Sequence, residues 1–246
     1  MDVKGEGLPL PFDCGVTYMS FLGTRLEAAL MLLKTENNSL FADIGSDHAF
    51  LAIEVLKRGI ARNAIAADIN ALPLEKGREN SALQGVKMDF YLSDGFKSID
   101  NLAITSAAVC GMGGELIARI ISESAVCRQA LLVLQPMSAQ EELRRYLWEN
   151  GYTIFTERFV IDSGKPYTVM QVKYSGKAED YSYLDLYLGR ERAPSPEFAA
   201  YCERQLIAAK KRRLGIVARG ESTKDIDGLI EFCQIQTTSF SAGTNS

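Results

Sequence analysis

The sequence predicts an α/β fold: a Rossmann-like, seven-stranded and mostly parallel sheet covered by helices, followed by a small C-terminal helical domain. Three observations predict it. Between residues 40 and 149, short apolar runs alternate with segments of helical periodicity, and such alternation needs crossover connections and therefore parallel pairing. The last two strand signals, 152–160 and 167–173, flank only Ser163-Gly164-Lys165-Pro166 at their junction, so they form a hairpin and put one antiparallel strand into the sheet. After Ser175 the composition changes to a long helical run, which sets the expected division at a lead-in of 1–20, a sheet domain of 21–175 and a helical domain of 176–246 with a polar tail.

Each element has a local reason. Residues 1–20 carry Gly and Pro without periodicity. Thr24-x-x-Glu27 reads as a capping box opening a helix with Leu26, Leu30 and Leu33 on one face. Asn37-Asn38-Ser39 breaks that pattern, and Leu40-Phe41-Ala42 begins the first strand, which leads into Asp43-Ile44-Gly45. A helix over 48–57 ends at Gly59, a buried strand follows at 64–67, and a helix over 72–84 tolerates Pro73 in its first turn. Strands at 88–92, 106–110 and 130–134 come next, with a helix over 115–122 between the last two. Ser138-x-x-Glu141 reads as a second capping box, starting a helix to 149. Beyond the breaker Ala193-Pro194-Ser195-Pro196, a helix over 197–217 repeats apolar residues every three or four positions; from Gly220 the chain is expected to fray.

Composition removes several functions. Of 246 residues, 47% are hydrophobic and 24% charged, the balance of a soluble globular protein. No apolar run approaches the roughly 18 residues needed to cross a bilayer, and the N-terminus lacks a basic segment followed by an apolar one, so a cytoplasmic, membrane-free protein is expected. Five widely spaced cysteines without a Cys-x-x-Cys pair suit reduced thiols. His48 is the sole histidine, which leaves no ligand set for zinc, and no metal is expected. The net charge of −4 argues against a simple coat for nucleic acid. It hides an asymmetry: residues 195–219 hold Arg204, Lys210, Lys211, Arg212, Arg213 and Arg219 against Glu197 and Glu203, a surplus of +4 that leaves −8 for the rest.

The chemistry is expected at the carboxyl ends of the strands, where open α/β sheets bind ligands. Asp43, Gly45, Asp47 and His48 sit at the first strand end. Gly45 lets backbone approach a ligand, while Asp43 and Asp47 repel a phosphate and welcome a cation. Asp68, followed by Ile69 and Asn70, ends the second strand and could accept from a ribose diol; otherwise it is a solvated loop residue. Asp94, before Gly95, could take an adenine amine or merely close a turn. Three carboxylates at successive strand ends fit a ligand with a ribose, an adenine amine and a positive charge but no phosphate, and S-adenosylmethionine has those properties. Gly111, Met112, Gly113 and Gly114 would let the backbone pass a flat group closely at the reactive end, or form a tight helix entry. His48 could be a base or a packing residue, and Arg25 could pair with a ligand carboxylate or with solvent. Lys210, Lys211, Arg212 and Arg213 could meet an RNA backbone or form a solvated helix face. Seven strands ending in a hairpin describe the class I methyltransferase sheet better than the nicotinamide-binding one.

Several stretches resemble the bacterial tRNA (adenine-22-N1)-methyltransferases. They are Thr24-Arg25-Leu26, the run Ala42-Asp43-Ile44-Gly45-Ser46-Asp47-His48-Ala49-Phe50-Leu51, Cys110-Gly111-Met112-Gly113-Gly114-Glu115-Leu116-Ile117, and Leu134-Gln135-Pro136. The similarity continues through Gly151-Tyr152 and Gly164-Lys165-Pro166-Tyr167 and covers roughly residues 20–217. Met137 stands where the family often has Asn. The resemblance implies a Rossmann-like methyltransferase domain, a helical domain that helps hold tRNA, and S-adenosylmethionine as cofactor. It places Arg25, Asp43, Gly45, Asp47, His48, Asp68, Asp94, Gly111 and Met112 around the cofactor and the transferred methyl, with Ile69, Asn70 and Gly95 beside them. Asp47, His48, Gly111 and Met112 are the expected catalytic set, and a monomer is the expected state. A methyltransferase for another RNA or a small molecule, or a non-catalytic nucleotide-binding module, remains open from sequence; a nicotinamide dehydrogenase is disfavoured by the acidic first loop.

Overall fold

The computed structural model describes residues 22–33 and 39–243; the expected lead-in and Cys14 lie outside them. Helix α1 (Thr24–Leu32) precedes strand β1 (Leu40–Ile44), and then α2 (Phe50–Lys57), β2 (Asn63–Asp68), α3 (Ala71–Leu83), β3 (Asp89–Leu92) and β4 (Ser106–Gly113) follow. Next come α4 (Gly114–Ser122), a 3₁₀ turn (Val126–Arg128), β5 (Leu131–Ser138), α5 (Gln140–Glu149), β6 (Tyr152–Asp162) and β7 (Lys165–Tyr174). The chain closes with α6 (Tyr183–Leu188), α7 (Pro196–Ala218) and α8 (Lys224–Gly243).

The seven strands form one sheet in the order β3-β2-β1-β4-β5-β7-β6. The first five run parallel, and β7 lies antiparallel to both β5 and β6. The central strands are buried on both faces, which is why they read as continuous apolar runs. Ala42, Ile44, Val109 and Leu134 point towards Ile117, Ile121 and Leu147 of α4 and α5. Phe41, Ala108 and Val133 point the other way, towards Ala29 of α1 and Leu51 and Val55 of α2. The chain order reverses between β1 and β4, so a crevice opens beyond their carboxyl ends.

Four local expectations fail, three at helix starts and one at the tail. Thr24 is the first helical residue, with Gly23 as N-cap and no side-chain cap bond. Ser138 stays in β5 and the N-cap of α5 is Ala139, also without a side-chain cap bond. Helix α2 starts at Phe50 rather than at His48, because His48 and Ala49 both adopt positive φ, 66° and 57°. The tail expected to fray from Gly220 instead forms α8. Ile226, Leu229 and Cys233 recur on one face and pack against Phe198, Tyr201 and Cys202 of α7, so the helical signal was present in the spacing.

One buried ion pair ties the helices after β7 to the sheet. Arg144 of α5 is fully buried and bonds Glu157 of β6 through Nε (3.1 Å) and Nη2 (2.5 Å). Its Nη1 donates to the Leu186 carbonyl of α6 at 2.6 Å, and Nη2 lies 3.4 Å from the Tyr201 hydroxyl of α7. Thr168 of β7 also donates to Glu157. Removing one partner of such a pair strands a buried charge. Glu157→Ala should therefore destabilise the fold by about 3–5 kcal/mol, read as a shift of the urea midpoint, whereas Glu221→Ala at the exposed pair with Arg219 should change it by well under about 1 kcal/mol.

Candidate active site

The crevice beyond β1 and β4 holds a cavity of about 360 Å³, lined among others by Arg25, Asp43, Gly45, Asp47, His48 and Gly111. The turn after β1 shapes it. Gly45 has φ +71°, and a Cβ there would stand 1.9 Å from Met112 Cε, so the site requires both its conformation and its missing side chain. Gly45 and Ser46 donate their N–H groups to the Ala67 carbonyl at 2.8 and 3.2 Å, pinning the turn to β2.

Asp43 is buried at the floor. Ser46 Oγ donates to its Oδ2 at 2.7 Å, and the Ala52 N–H in the first turn of α2 donates to it as well. Burial pushes its carboxyl up to about 6, the Asp68 charge adds to the push, and the Ser46 and Ala52 bonds oppose it. The carboxylate survives at neutral pH because donors hold it, and it is poised to accept a cation. Asp47, whose side chain is largely exposed, sits at the mouth with Oδ1 3.2 Å from His48 Nε2. The His48 ring stacks on Phe50, centroids 5.5 Å apart, and its carbonyl accepts from Asn80 Nδ2 at 3.0 Å.

Arg25 enters from α1. Its Nε pairs with Asp162 Oδ2 at 2.8 Å, its Nη1 donates to Gln135 Oε1 at 2.7 Å, and its guanidinium lies 5.1 Å from the Tyr167 centroid. Gln135 Oε1 also accepts from the Gly111 N–H at 3.2 Å, so one buried amide joins α1 to the turn of β4. No role was read for Gln135 or Asp162 from the sequence; the available signal was a lone polar side chain closing the apolar run Leu131–Leu134. Just past β4, a Cβ at Gly114, the first residue of α4, would meet the Ala139 carbonyl oxygen at 2.1 Å, which explains that glycine by backbone contact between the starts of α4 and α5. Cys110, also on the cavity wall, has its thiol pushed strongly up by burial and by Asp43, so it stays protonated and is no nucleophile.

The remaining sequence candidates form a ledge outside the cavity. Asp68 Oδ1 accepts from the Asn70 N–H at 2.8 Å, the Asp68 carbonyl accepts from Ser93 N–H, and Ile69 is 63% exposed. Asp94 is held by Arg119 Nη2 at 3.0 Å and Lys97 Nζ at 2.6 Å, and these two cations keep its carboxyl down near 2. Gly95 packs beneath Ile120. Asp43, Gly45, Asp47, His48, Arg25 and Gly111 thus share one cavity with Met112 over its turn, whereas Asp68, Ile69, Asn70, Asp94 and Gly95 border it along β2 and β3.

The basic run on α7 splits. Arg212 lies 4.1 Å over the Tyr187 ring and Arg213 Nε pairs with Asp227 Oδ1 at 2.5 Å. Of the four, Lys210 and Lys211 are exposed, whereas Arg212 and Arg213 are half-buried. Among the described residues, no group of three or more His, Cys, Asp or Glu could hold a metal ion, and no helix is long and apolar enough to cross a membrane.

A family model described as a methyltransferase domain matches residues 22–170, and the chain belongs to that methyltransferase family. It is 34% identical to a Mycoplasma pneumoniae protein named "Putative tRNA methyltransferase" over 60% of this chain and 70% of that one. It is 27% identical to tRNA (adenine(22)-N(1))-methyltransferase of Bacillus subtilis, over 62% of this chain and 66% of that one. Its fold is similar to that of TrmK from M. capricolum, solved with the cofactor product S-adenosyl-homocysteine, with TM-score 0.73, 21% identity and coverage of 87% and 98%. Within the methyltransferases it stands with the bacterial tRNA methyltransferases.

The raised Asp43 carboxyl gives a pH prediction. The folded form holds its proton up to about pH 6, while the unfolded chain releases it near pH 4. The folded state therefore binds more protons between those values, and stability falls as pH rises through that window. Relative to Asp43→Asn, wild type should lose about 2 kcal/mol between pH 4 and pH 6, measured by urea denaturation at each pH. Parallel curves for the two proteins would show that burial does not raise the Asp43 carboxyl.

Proposed function

We infer that this protein methylates N1 of adenine 22 in tRNA with S-adenosylmethionine. The observation that carries this reading is the buried Asp43 carboxylate in a cavity beside a ledge of carboxylates at the strand ends. A phosphate would be repelled there. An amino-acid head with a cationic nitrogen is matched by Asp43, and its carboxylate by Arg25, which Asp162 and Gln135 hold at the cavity. Asp68 suits a ribose diol, and exposed Ile69 offers an apolar face to an adenine ring. At Asp94 an adenine amine would share oxygens already engaged by Lys97 and Arg119.

When bound, S-adenosylmethionine supplies an electrophilic methyl group. Adenine N1 carries a free lone pair, so attack needs no prior deprotonation, and the chain's task is to position the base and exclude water. Gly111 and Met112 lie where β4 meets the cavity, and Asp47 at the mouth offers negative charge to the cationic methylated base. The Asp47 contact and the Phe50 stack support a packing role for His48 at that mouth rather than proton transfer. The adenine must leave its stack to reach the crevice, at a cost of a few kcal/mol.

The function is tested by mass spectrometry of tRNA after incubation with protein and labelled cofactor. A single N1-methyladenosine at position 22, lost in an A22→G transcript, is expected; methylation of another base or position contradicts the reading. Independently, Asp68→Ala should weaken S-adenosylmethionine binding by about 1.5–3 kcal/mol in calorimetry, and unchanged affinity would remove Asp68 from the ribose.

A further inference from the structure

A second concavity of about 300 Å³ lies between the end of β5 with the start of α5 and the flank of α7. Met137 is common ground: it lines this groove, and its Sδ stands 3.2 Å from Arg25 Nη1, which lines the cofactor cavity. The two concavities are therefore neighbours across one side chain.

The walls of the groove carry unbalanced positive charge. Arg204 donates Nη1 to the Pro166 carbonyl at 2.8 Å and rests 4.9 Å over the Tyr201 ring, a geometry that fixes its guanidinium without neutralising it. Arg212 has Nε and Nη2 buried with no hydrogen-bond partner. Its carboxylate neighbour, Glu141, is 3.8 Å away, beyond hydrogen-bonding reach. Glu141 is also the acid lining this groove, against two arginines. The floor adds the first turn of α5, whose N-cap Ala139 supplies no side-chain acceptor, so free N–H groups add to the positive potential. Arg204 and Arg212 are two turns apart on α7, roughly 12 Å along its axis, a spacing that suits a strand better than a single small anion.

We propose that this groove is a phosphodiester subsite for the RNA strand flanking the methylated adenine, with Arg212 as its main contact and Arg204 as its second. The proposal rests on the tRNA reading above. Guanidinium groups bind phosphate oxygens through directed, charge-assisted bonds, and a strand held here would lead past Met137 to the cofactor cavity. The exposed Lys210 and Lys211 continue the same helix outwards as less directional contacts.

The test measures tRNA affinity against salt concentration for wild type, Arg212→Gln and Glu141→Gln, with S-adenosylmethionine affinity measured alongside. Arg212→Gln breaks no hydrogen bond within the protein, though it removes the stack on Tyr187, so its fold is checked by circular dichroism and urea denaturation. It should weaken tRNA binding about tenfold and lower the log–log salt slope by about 0.7–0.9, leaving cofactor affinity unchanged. Glu141→Gln should strengthen tRNA binding severalfold, an effect that a merely structural role would not produce; it also carries the test alone if Arg212→Gln does not fold. Wild-type affinity and slope in Glu141→Gln, or in a folded Arg212→Gln, would overturn the subsite. If wild type methylates tRNA while the variants are unchanged, only the groove assignment falls; if wild type does not methylate tRNA, the functional reading falls instead.

Discussion

A charged carboxylate must be kept at the end of β1, where burial opposes charge, and the architecture of the site follows from that constraint. Asp43 stays ionised at neutral pH because Ser46 and the Ala52 N–H hold it. Both donors depend on the turn between β1 and α2, and that turn depends on left-handed backbone at Gly45, His48 and Ala49. Positive φ at His48 and Ala49 costs free energy in non-glycine residues. Packing offsets it: the Ala49 side chain is buried with Ile53 and Ala66, and Asn80 holds the His48 carbonyl. A strained turn thus delivers the N-terminus of α2 to a buried anion.

The opposite wall depends on Gln135. It accepts hydrogen bonds from Arg25 and from Gly111, so the cation facing the cavity and the backbone at the end of β4 are positioned by one buried amide. Asp162 and Tyr167 from the β6–β7 hairpin complete the seat of Arg25. The antiparallel hairpin therefore helps shape the cavity beyond β1 and β4 as well as the sheet, and the ion pair of Arg144 with Glu157 fixes the later helices against that hairpin. Arg212 and Arg204 reach their groove only because α7 is held there.

Much of this was legible in the sequence, and the failures have a common cause. Strand positions and their burial were readable because apolar runs and helical periods are local signals. The placement of Asp43, Asp68 and Asp94 at strand ends was readable because each closes or closely follows an apolar run. The helix starts at Thr24 and Ser138 were misplaced because side-chain caps lost to Gly23 and to the left-handed Ala139, choices made by tertiary contacts of the strand ends. Helix α8 was passed over because a polar, glycine-containing stretch hid Ile226, Leu229 and Cys233, which gain their stability from α7. Gln135 and Asp162 were invisible as site residues because their partner, Arg25, is more than a hundred positions away. The basic run was readable as charge but not as geometry: Arg213 serves Asp227 while Lys210 and Lys211 stay free to face outwards.

The central claim is that an ionised, buried Asp43 receives the cationic head of S-adenosylmethionine. Calorimetric titration of the cofactor between pH 4.5 and 8 tests it most directly. Affinity should be level above the Asp43 transition near pH 6 and fall by up to about tenfold per unit below it as the carboxyl takes up its proton; Asp43→Asn should bind weakly and without that dependence. A wild-type affinity that stays constant across the range, or an Asn variant that binds as tightly, would contradict the account.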